Sequence, residues 1–187
     1  MSIILEGPDN AGKTSLAEDL QRLNPNLHYF HSGSAPRDDE HEVHCLQEQW
    51  HMASKPNCIV DRITAISQQV YKDGRLFEEK LMMELQKYVL SDPIIIVYCR
   101  PSTDTLMQFD KFTWREGESE AYRQHVIANQ HKYIERYDLL MQRTPHILYD
   151  FKDEIAAGFL RKWLATNSQD NIYWLKQNVV TKGAYEL

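Results

Sequence analysis

The sequence predicts an α/β fold: a five-stranded parallel sheet covered by helices on both faces. Three observations lead to it. Five short apolar segments alternate with helix-length segments, the pattern of right-handed β-α-β crossovers. The clearest of these strands, Ile94-Ile95-Ile96-Val97-Tyr98, is almost wholly β-branched, as a strand buried on both faces requires. The apolar run Ile3-Ile4-Leu5 leads into Gly7-Pro8-Asp9-Asn10-Ala11-Gly12-Lys13-Thr14 and then Ser15-Leu16-Ala17-Glu18-Asp19-Leu20, which reads as strand, phosphate loop, helix.

In that loop the spacing G-x-x-x-x-G-K-[ST] puts glycine where the backbone turns tightly, so that successive N–H groups converge on a phosphate at a helix mouth. Lys13 is placed to reach the β- and γ-phosphates of a nucleoside triphosphate, and the Thr14 hydroxyl to complete the shell of a Mg²⁺ ion bridging them. Glycine is scarce, at 7 of 187 residues, which makes a coincidental match to four fixed positions rare.

The remaining elements follow in order. Leu16, Ala17, Leu20 and Leu23 recur at helical spacing up to the breaker Asn24-Pro25-Asn26. A short strand from Leu27 to Phe30 precedes the hydroxyl-rich loop His31-Ser32-Gly33-Ser34-Ala35-Pro36. Asp38 to Ser54 reads as a polar helix with an acidic first turn and with Val43, Leu46, Trp50 and Ala53 on its apolar face. Cys58-Ile59-Val60-Asp61-Arg62 is a buried strand that ends in an acid and a base. Ile63 to Leu90 is mostly helical, with a break at Lys72-Asp73-Gly74-Arg75, and Ser91-Asp92-Pro93 ends it. After the Ile94 strand come Arg100, a helix from about Thr103, and a charged stretch near 110–120 that reads as a mobile connection or lid. A long helix from about Glu118 to Gln142 has Tyr133, Ile134, Tyr137 and Leu140 as core positions. A strand from His146 to Tyr149 and a helix from Asp153 to Ala165 close a single domain, 1–165. Residues 166–187 form a polar tail, packed on the domain or extending from it.

Bulk properties exclude several classes. A chain of 187 residues that is 42% hydrophobic suits one domain, and a net charge of -6 gives no footprint for a dedicated non-specific nucleic-acid binder. Cys45, Cys58 and Cys99 are odd in number and widely spaced, which fits buried thiols in a reducing cytoplasm. The first strand leaves no room for a signal peptide, and the longest apolar run is too short to span a membrane. His41, His44, His51 and Cys45 lack a thiolate pair and are scattered by helical spacing, so they read as solvated helix residues rather than zinc ligands.

Ligands of a parallel sheet bind at the carboxyl ends of its strands. The phosphate loop, the loop after Phe30, Asp61-Arg62 and Arg100 all fall there. A regulatory GTPase would need an Asn-Lys-x-Asp tetrad, which is absent. A small phosphotransferase needs two adjacent pockets and a charge-neutralising clamp, and the cleft has the parts for them. Two other classes remain open: a non-catalytic nucleotide-binding switch, and a nucleic-acid-stimulated ATPase. The intact Lys13 and Thr14 beside Asp61-Arg62 argue against the first, and release of free phosphate without a labelled product would identify the second.

Leu5-Glu6-Gly7-Pro8-Asp9-Asn10-Ala11-Gly12-Lys13-Thr14-Ser15-Leu16-Ala17, the pair Asp61-Arg62, and Ser67 with Val70-Tyr71 resemble the thymidylate kinase family of P-loop kinases over residues 1 to 165. The resemblance implies an ATP- and Mg²⁺-dependent transfer of phosphate to a thymidine-like deoxynucleotide. It implies that Lys13 stabilises the migrating phosphoryl group, that Gly7, Asn10, Ala11, Gly12, Lys13, Thr14 and Ser15 cradle ATP, that Thr14 holds the metal, and that Asp61 helps to organise metal or acceptor. It further implies that Asp9 accepts a hydrogen bond from an acceptor sugar hydroxyl, that Arg62 clamps phosphate oxygens as a catalytic residue with Lys13 and Asp61, and that Ser67 and Tyr71 face the acceptor. Arg100, Lys111, Arg115 and Arg123 are the candidates for a lid arginine.

The sequence also departs from the family. Thymidylate kinases usually follow their second strand with Arg-Glu-Pro-Gly-Gly-Thr, whose arginine grips the acceptor phosphate. Here His31-Ser32-Gly33-Ser34-Ala35-Pro36-Arg37 stands there, so the clamp is lost or displaced to Arg37. The alternative is the family's phage branch, which phosphorylates the hydroxymethyl group of 5-hydroxymethyl-2′-deoxyuridine within DNA. Trp50, Tyr71, Trp114 and Tyr122 are aromatics that could stack on such a base, though packing accounts for each of them as well. The expected partners are thus a nucleotide or modified base as acceptor, DNA as an alternative substrate and no membrane, with a homodimer left open.

Overall fold

The computed structural model describes residues 1–31, 38–71, 94–108 and 119–166. The break at 72–75, the helix up to Leu90, the connection near 110–120 as far as residue 118, Trp114 and the tail beyond 166 lie outside the described residues, as do Arg37, Lys111 and Arg115. The strands are β1 (Ser2–Glu6), β2 (His28–His31), β3 (Cys58–Asp61), β4 (Ile94–Cys99) and β5 (Ile147–Tyr149). The helices are α1 (Lys13–Leu23), α2 (Asp39–Ala53), α3 (Thr64–Tyr71), α4 (Thr103–Leu106), α5 (Glu120–Met141) and α6 (Glu154–Thr166). All pairings are parallel, in the order β2-β3-β1-β4-β5, with Leu5 level with Asp61 and with Val97. From central β1 the chain moves out to β2 and β3 on one side and then to β4 and β5 on the other. The reversal opens a crevice at the carboxyl end of β1, where the phosphate loop begins.

Strand alternation splits the core into two layers. Ile3 and Leu5 pack with Leu16, Leu20, Ile59, Val97 and Leu164, under α1 and α6. Ile4 packs with Val60, Ile66, Ile96, Tyr133, Tyr137 and Leu140, under α3 and α5. Glu6, two residues beyond Ile4, therefore faces the second layer, and it is fully buried there.

The helix starts are set by short polar side chains that accept from the first turn. Asp38 accepts from the His41 N–H, Ser119 from that of Tyr122 and Asp153 from that of Ala156. Helix α1 ends at extended Asn24, whose side-chain amide donates to the Ala165 carbonyl at 2.8 Å and ties α1 to the end of α6.

Of the apolar face expected for α2, Ala53 is buried and Leu46 and Trp50 pack against the second core layer, but Val43 requires correction. It is 54% exposed, and Glu42, Cys45 and Gln49 are buried instead. The rotation brings the Gln49 side-chain oxygen to 2.6 Å from the Thr64 N–H, at the start of α3. A buried backbone donor outranks one valine. Leu23, expected on the apolar face of α1, is 52% exposed at the helix end. The three cysteines are buried and free. No helix among the described residues is long and apolar enough to cross a membrane.

Candidate active site

The phosphate loop leaves β1 at Gly7 (φ 143) and enters α1 through Gly12 (φ 79), with Asn10 also left-handed (φ 63). A Cβ on Gly7 would stand 2.3 Å from the Cys99 carbonyl oxygen, in a backbone conformation that L side chains rarely adopt. Gly7→Ala is therefore expected to lower stability by about 2 kcal/mol or more, read as a shift in denaturant midpoint. A Cβ on Gly12 would meet the Phe151 ring at 3.0 Å, so the residues after β5 pack against the helix entry.

No side chain caps α1 at Gly12, and no acid occupies its first turn. Thr14 and Ser15 are exposed. The N–H groups of a helix start that lacks a side-chain cap are oriented to receive an anion. Beside them the Lys13 Nζ donates to the carbonyls of Gly7 (3.0 Å) and Pro8 (2.7 Å). Burial, and secondarily the Arg62 charge, lowers the Lys13 ammonium to about 8, against the opposing pull of Asp61 and Asp9. A bound polyphosphate would supply the negative charge that this ammonium lacks.

Across the crevice, Asp9 and Arg62 form an ion pair at 2.5 Å. The same Arg62 Nη2 donates to the Tyr71 hydroxyl at 2.9 Å, and the guanidinium stands over the Tyr71 ring, 5.0 Å from its centroid. Burial pushes the Asp9 carboxyl up, but the charges of Arg62 and Lys13 and the hydrogen bonds from Arg62 and Tyr71 outweigh it, so its pKa lies below the ordinary value. Ser67, one turn before Tyr71 on α3, is partly buried. Gln130 of α5 is fully buried and donates to the Asp9 carbonyl at 2.9 Å.

Asp61 faces the other layer, with its Oδ2 held by the Tyr29 hydroxyl at 2.5 Å and 3.6 Å from the His31 Nδ1. Its Oδ1 is buried with no hydrogen-bond partner among the described residues. Arg100, one of the four lid candidates, is bidentate on Asp138, at 2.9 and 3.0 Å, and its other donors go to Pro101 and Thr103. Its guanidinium is thus spent on α4 and α5. Arg123 lies in the first turn of α5. Trp50 is partly buried against the second core layer, and Tyr122 is 44% exposed.

Sequence reasoning did not single out Glu6. It lies at the crevice floor, where the Ile63 N–H donates to its Oε1 at 2.6 Å and the Tyr137 hydroxyl to its Oε2 at 3.3 Å. Its acidic character followed by Gly7 was the available signal. Burial raises its carboxyl to about 7, while the Ile63 N–H and the Arg62 and Lys13 charges pull it down. The unfolded chain releases this proton near the ordinary 4.5. Between the two values the folded state binds more protons, so stability falls as pH rises through that window. Glu6→Gln should therefore gain on the wild type by about 2–3 kcal/mol between pH 4.5 and 8. Parallel denaturant titrations check this, and a difference independent of pH would remove the assignment.

No family model matches the sequence, and no curated protein sequence matches it. In three dimensions the chain is similar to the YorR protein of Bacillus subtilis, solved in complex with phosphorylated GDP. The TM-score is 0.57 at 19% identity, over 95% of this chain and 96% of that one. It is also similar to deoxyadenosine kinase from M. mycoides with bound dATP, with a TM-score of 0.51 at 18% identity over 88% of this chain and 99% of that one. The likeness is one of fold: a five-stranded parallel sheet flanked by helices, shared with these two nucleotide-bound structures. Within this fold, Lys13, Asp9, Arg62, Tyr71 and Asp61 meet at one crevice, while Arg100 is held by Asp138.

Proposed function

We propose that the chain is an ATP-dependent phosphotransferase of thymidylate kinase type, which moves the γ-phosphate of ATP to a thymidine-like deoxynucleotide. The observation that carries this reading is the juxtaposition, at one crevice, of an anion-receiving loop with Lys13 and a separate Asp9–Arg62–Tyr71 cluster. One half suits a triphosphate and the other an acceptor bearing hydroxyl and phosphate groups. The nucleotides bound by YorR and by the deoxyadenosine kinase support the same chemistry on this fold.

The acceptor oxygen attacks the γ-phosphorus as the bond to the β–γ bridging oxygen breaks, and ADP leaves. Lys13 exchanges its carbonyl partners for phosphate oxygens and follows the charge onto the migrating group. The N–H groups at the start of α1 hold the β-phosphate. Asp9 orients the acceptor sugar, and Arg62 balances phosphate charge from the far side. Thr14 and Asp61 fit a Mg²⁺ ion: both offer hard oxygen, the Asp61 Oδ1 is buried without a hydrogen-bond partner among the described residues, and magnesium usually takes few protein ligands beside substrate phosphates. Bound there, such an ion would supply positive charge against the triphosphate.

A second reading, phosphorylation of 5-hydroxymethyl-2′-deoxyuridine in DNA, is favoured by two observations. The stretch after β2 has no arginine before Arg37, and His31 sits beside Asp61, a pair suited to taking the proton that a hydroxyl acceptor must lose. The test supplies γ-labelled ATP with a panel of deoxynucleoside monophosphates and, in parallel, with DNA containing 5-hydroxymethyluracil. Label in a deoxynucleoside diphosphate is expected. Label in the polymer would select the second reading, and free phosphate alone would overturn both.

A further inference from the structure

Arg62 occupies the left-handed region of backbone space (φ 66), where a branched or long side chain is rarely found. Something must hold it there, and β1 does so from both sides. The Arg62 N–H donates to the Leu5 carbonyl at 2.9 Å. The next N–H, that of Ile63, donates to Glu6 at 2.6 Å, and the Thr64 N–H follows on Gln49. The turn out of β3 is thus pinned at three successive donors, and the Arg62 side chain is sent back over the phosphate loop to Asp9.

The other Glu6 oxygen holds the Tyr137 hydroxyl. The Tyr137 ring packs edge-on to Tyr71 at 6.0 Å, and Tyr71 in turn meets the Arg62 guanidinium by hydrogen bond and ring face. Both arms of Glu6 therefore end on Arg62, one through backbone and one through two tyrosines. A carboxylate that is fully buried, on the face of β1 that carries Ile4 and beside Tyr137, is costly to keep. An apolar residue would fill the site more cheaply but would leave the Ile63 donor buried and unsatisfied.

We propose that Glu6 is the positioning residue that sets Arg62 on the acceptor side of the crevice. The inference rests on the reading of Asp9, Arg62 and Tyr71 as the acceptor cluster, and it deepens that reading. Glu6 itself is hydrogen-bonded to neither Asp9 nor the Arg62 side chain among the described contacts, so it acts through Ile63 and Tyr137.

The experiment uses the full chain in three forms: wild type, Glu6→Leu and Glu6→Gln. The first readout is ¹⁵N NMR of the Arg62 guanidinium, whose separate η resonances report restricted rotation without any need for turnover. The second is steady-state kinetics with ATP and thymidine 5′-monophosphate. In Glu6→Leu the separate resonances should collapse. The KM for thymidine monophosphate should rise and its kcat/KM fall about 100-fold, while the KM for ATP stays within about threefold, because a displaced clamp costs orientation rather than donor binding. Glu6→Gln, whose amide oxygen still accepts from Ile63 and whose amide N–H groups can turn to Tyr137, should keep the resonances and lie within about threefold of wild type in kcat/KM.

Retained resonances with wild-type kinetics in Glu6→Leu would overturn the proposal, as would a Glu6→Gln variant damaged as badly as Glu6→Leu. Where Glu6→Leu does not fold, Glu6→Asp takes its place. It keeps the charge but withdraws the carboxylate by one methylene, and undisturbed Arg62 resonances in it would overturn the proposal. Should no deoxynucleoside monophosphate be phosphorylated, the proposed function fails, and the resonance arm alone decides the role of Glu6.

Discussion

Lys13→Ala is expected to lower kcat/KM for phosphoryl transfer about 10³- to 10⁴-fold while leaving the thermal midpoint within a few degrees of wild type. The two halves of this expectation have separate causes. In the absence of phosphate the ammonium is buried against two backbone carbonyls and carries enough desolvation to bring it down to about 8. Deleting it removes that unfavourable burial and also strips Gly7 and Pro8 of a donor, so the changes in stability oppose one another. In the transition state nothing offsets the loss, since no other described cation is placed in the loop itself. Lys13→Arg should not restore the rate. The guanidinium is planar and broader, and it is directed to paired oxygens rather than a point on the γ-phosphoryl group. The same value for Lys13 predicts that ATP binding to the free enzyme weakens as pH rises through about 8, because the protonated form below that value is the one that meets phosphate. Steady-state kinetics on purified variants with a matched melting curve measure both halves. Near-normal turnover in Lys13→Ala would remove the active-site assignment.

The strands were legible because each is a short apolar run between breakers. Ile94-Ile95-Ile96-Val97-Tyr98 falls inside β4, and Asn24-Pro25-Asn26 ends α1 as expected. The phosphate loop was legible for a different reason, since its backbone demands fall on residue types that few other structures need. The side on which a helix turns was harder to read. The apolar count of α2 favoured Val43, but the buried face follows Gln49, which answers a backbone donor about 15 residues away in sequence. Glu6 escaped notice for a related reason. A glutamate at the end of a strand looks like an ordinary surface acid until the two-residue alternation from Ile4 is combined with the position of Tyr137, 131 residues later. Arg100 shows the converse. Its place at a strand's carboxyl end suggests a ligand-facing cation, yet Asp138, visible only in three dimensions, takes both of its paired donors. Spacing along the chain identifies groups that act through their own backbone. Partnerships between distant elements decide which side chains are left for a ligand.

Arg62→Ala carries the second large effect and tests the acceptor side of the crevice. Removing the guanidinium leaves Asp9, whose side chain is only 16% exposed, without its charge partner, and strips Tyr71 of both its donor and the cation over its ring. An uncompensated carboxylate at such burial is expected to cost about 2–4 kcal/mol of stability. The pH dependence follows from the sign of the Asp9 shift. Its folded value lies below the ordinary 3.8, so the contribution of the pair is complete above that pH and is lost as pH falls through the folded value. Arg62→Ala should accordingly differ from wild type most at neutral pH and least in strong acid. A double-mutant cycle with Asp9→Asn separates the pair from the burial of its members. Asp9→Asn/Arg62→Ala has no buried charge left to compensate, so it should be more stable than Arg62→Ala alone, with a coupling of about 1–3 kcal/mol. Additive losses would mean that the two residues are neighbours without mutual dependence. In kinetics, Arg62→Ala should raise the KM for the acceptor and lower kcat together, by about 10²-fold or more in kcat/KM, with the KM for ATP little changed. A loss confined to ATP would transfer Arg62 to the donor side, and with it the division of the crevice on which the proposed phosphoryl transfer depends.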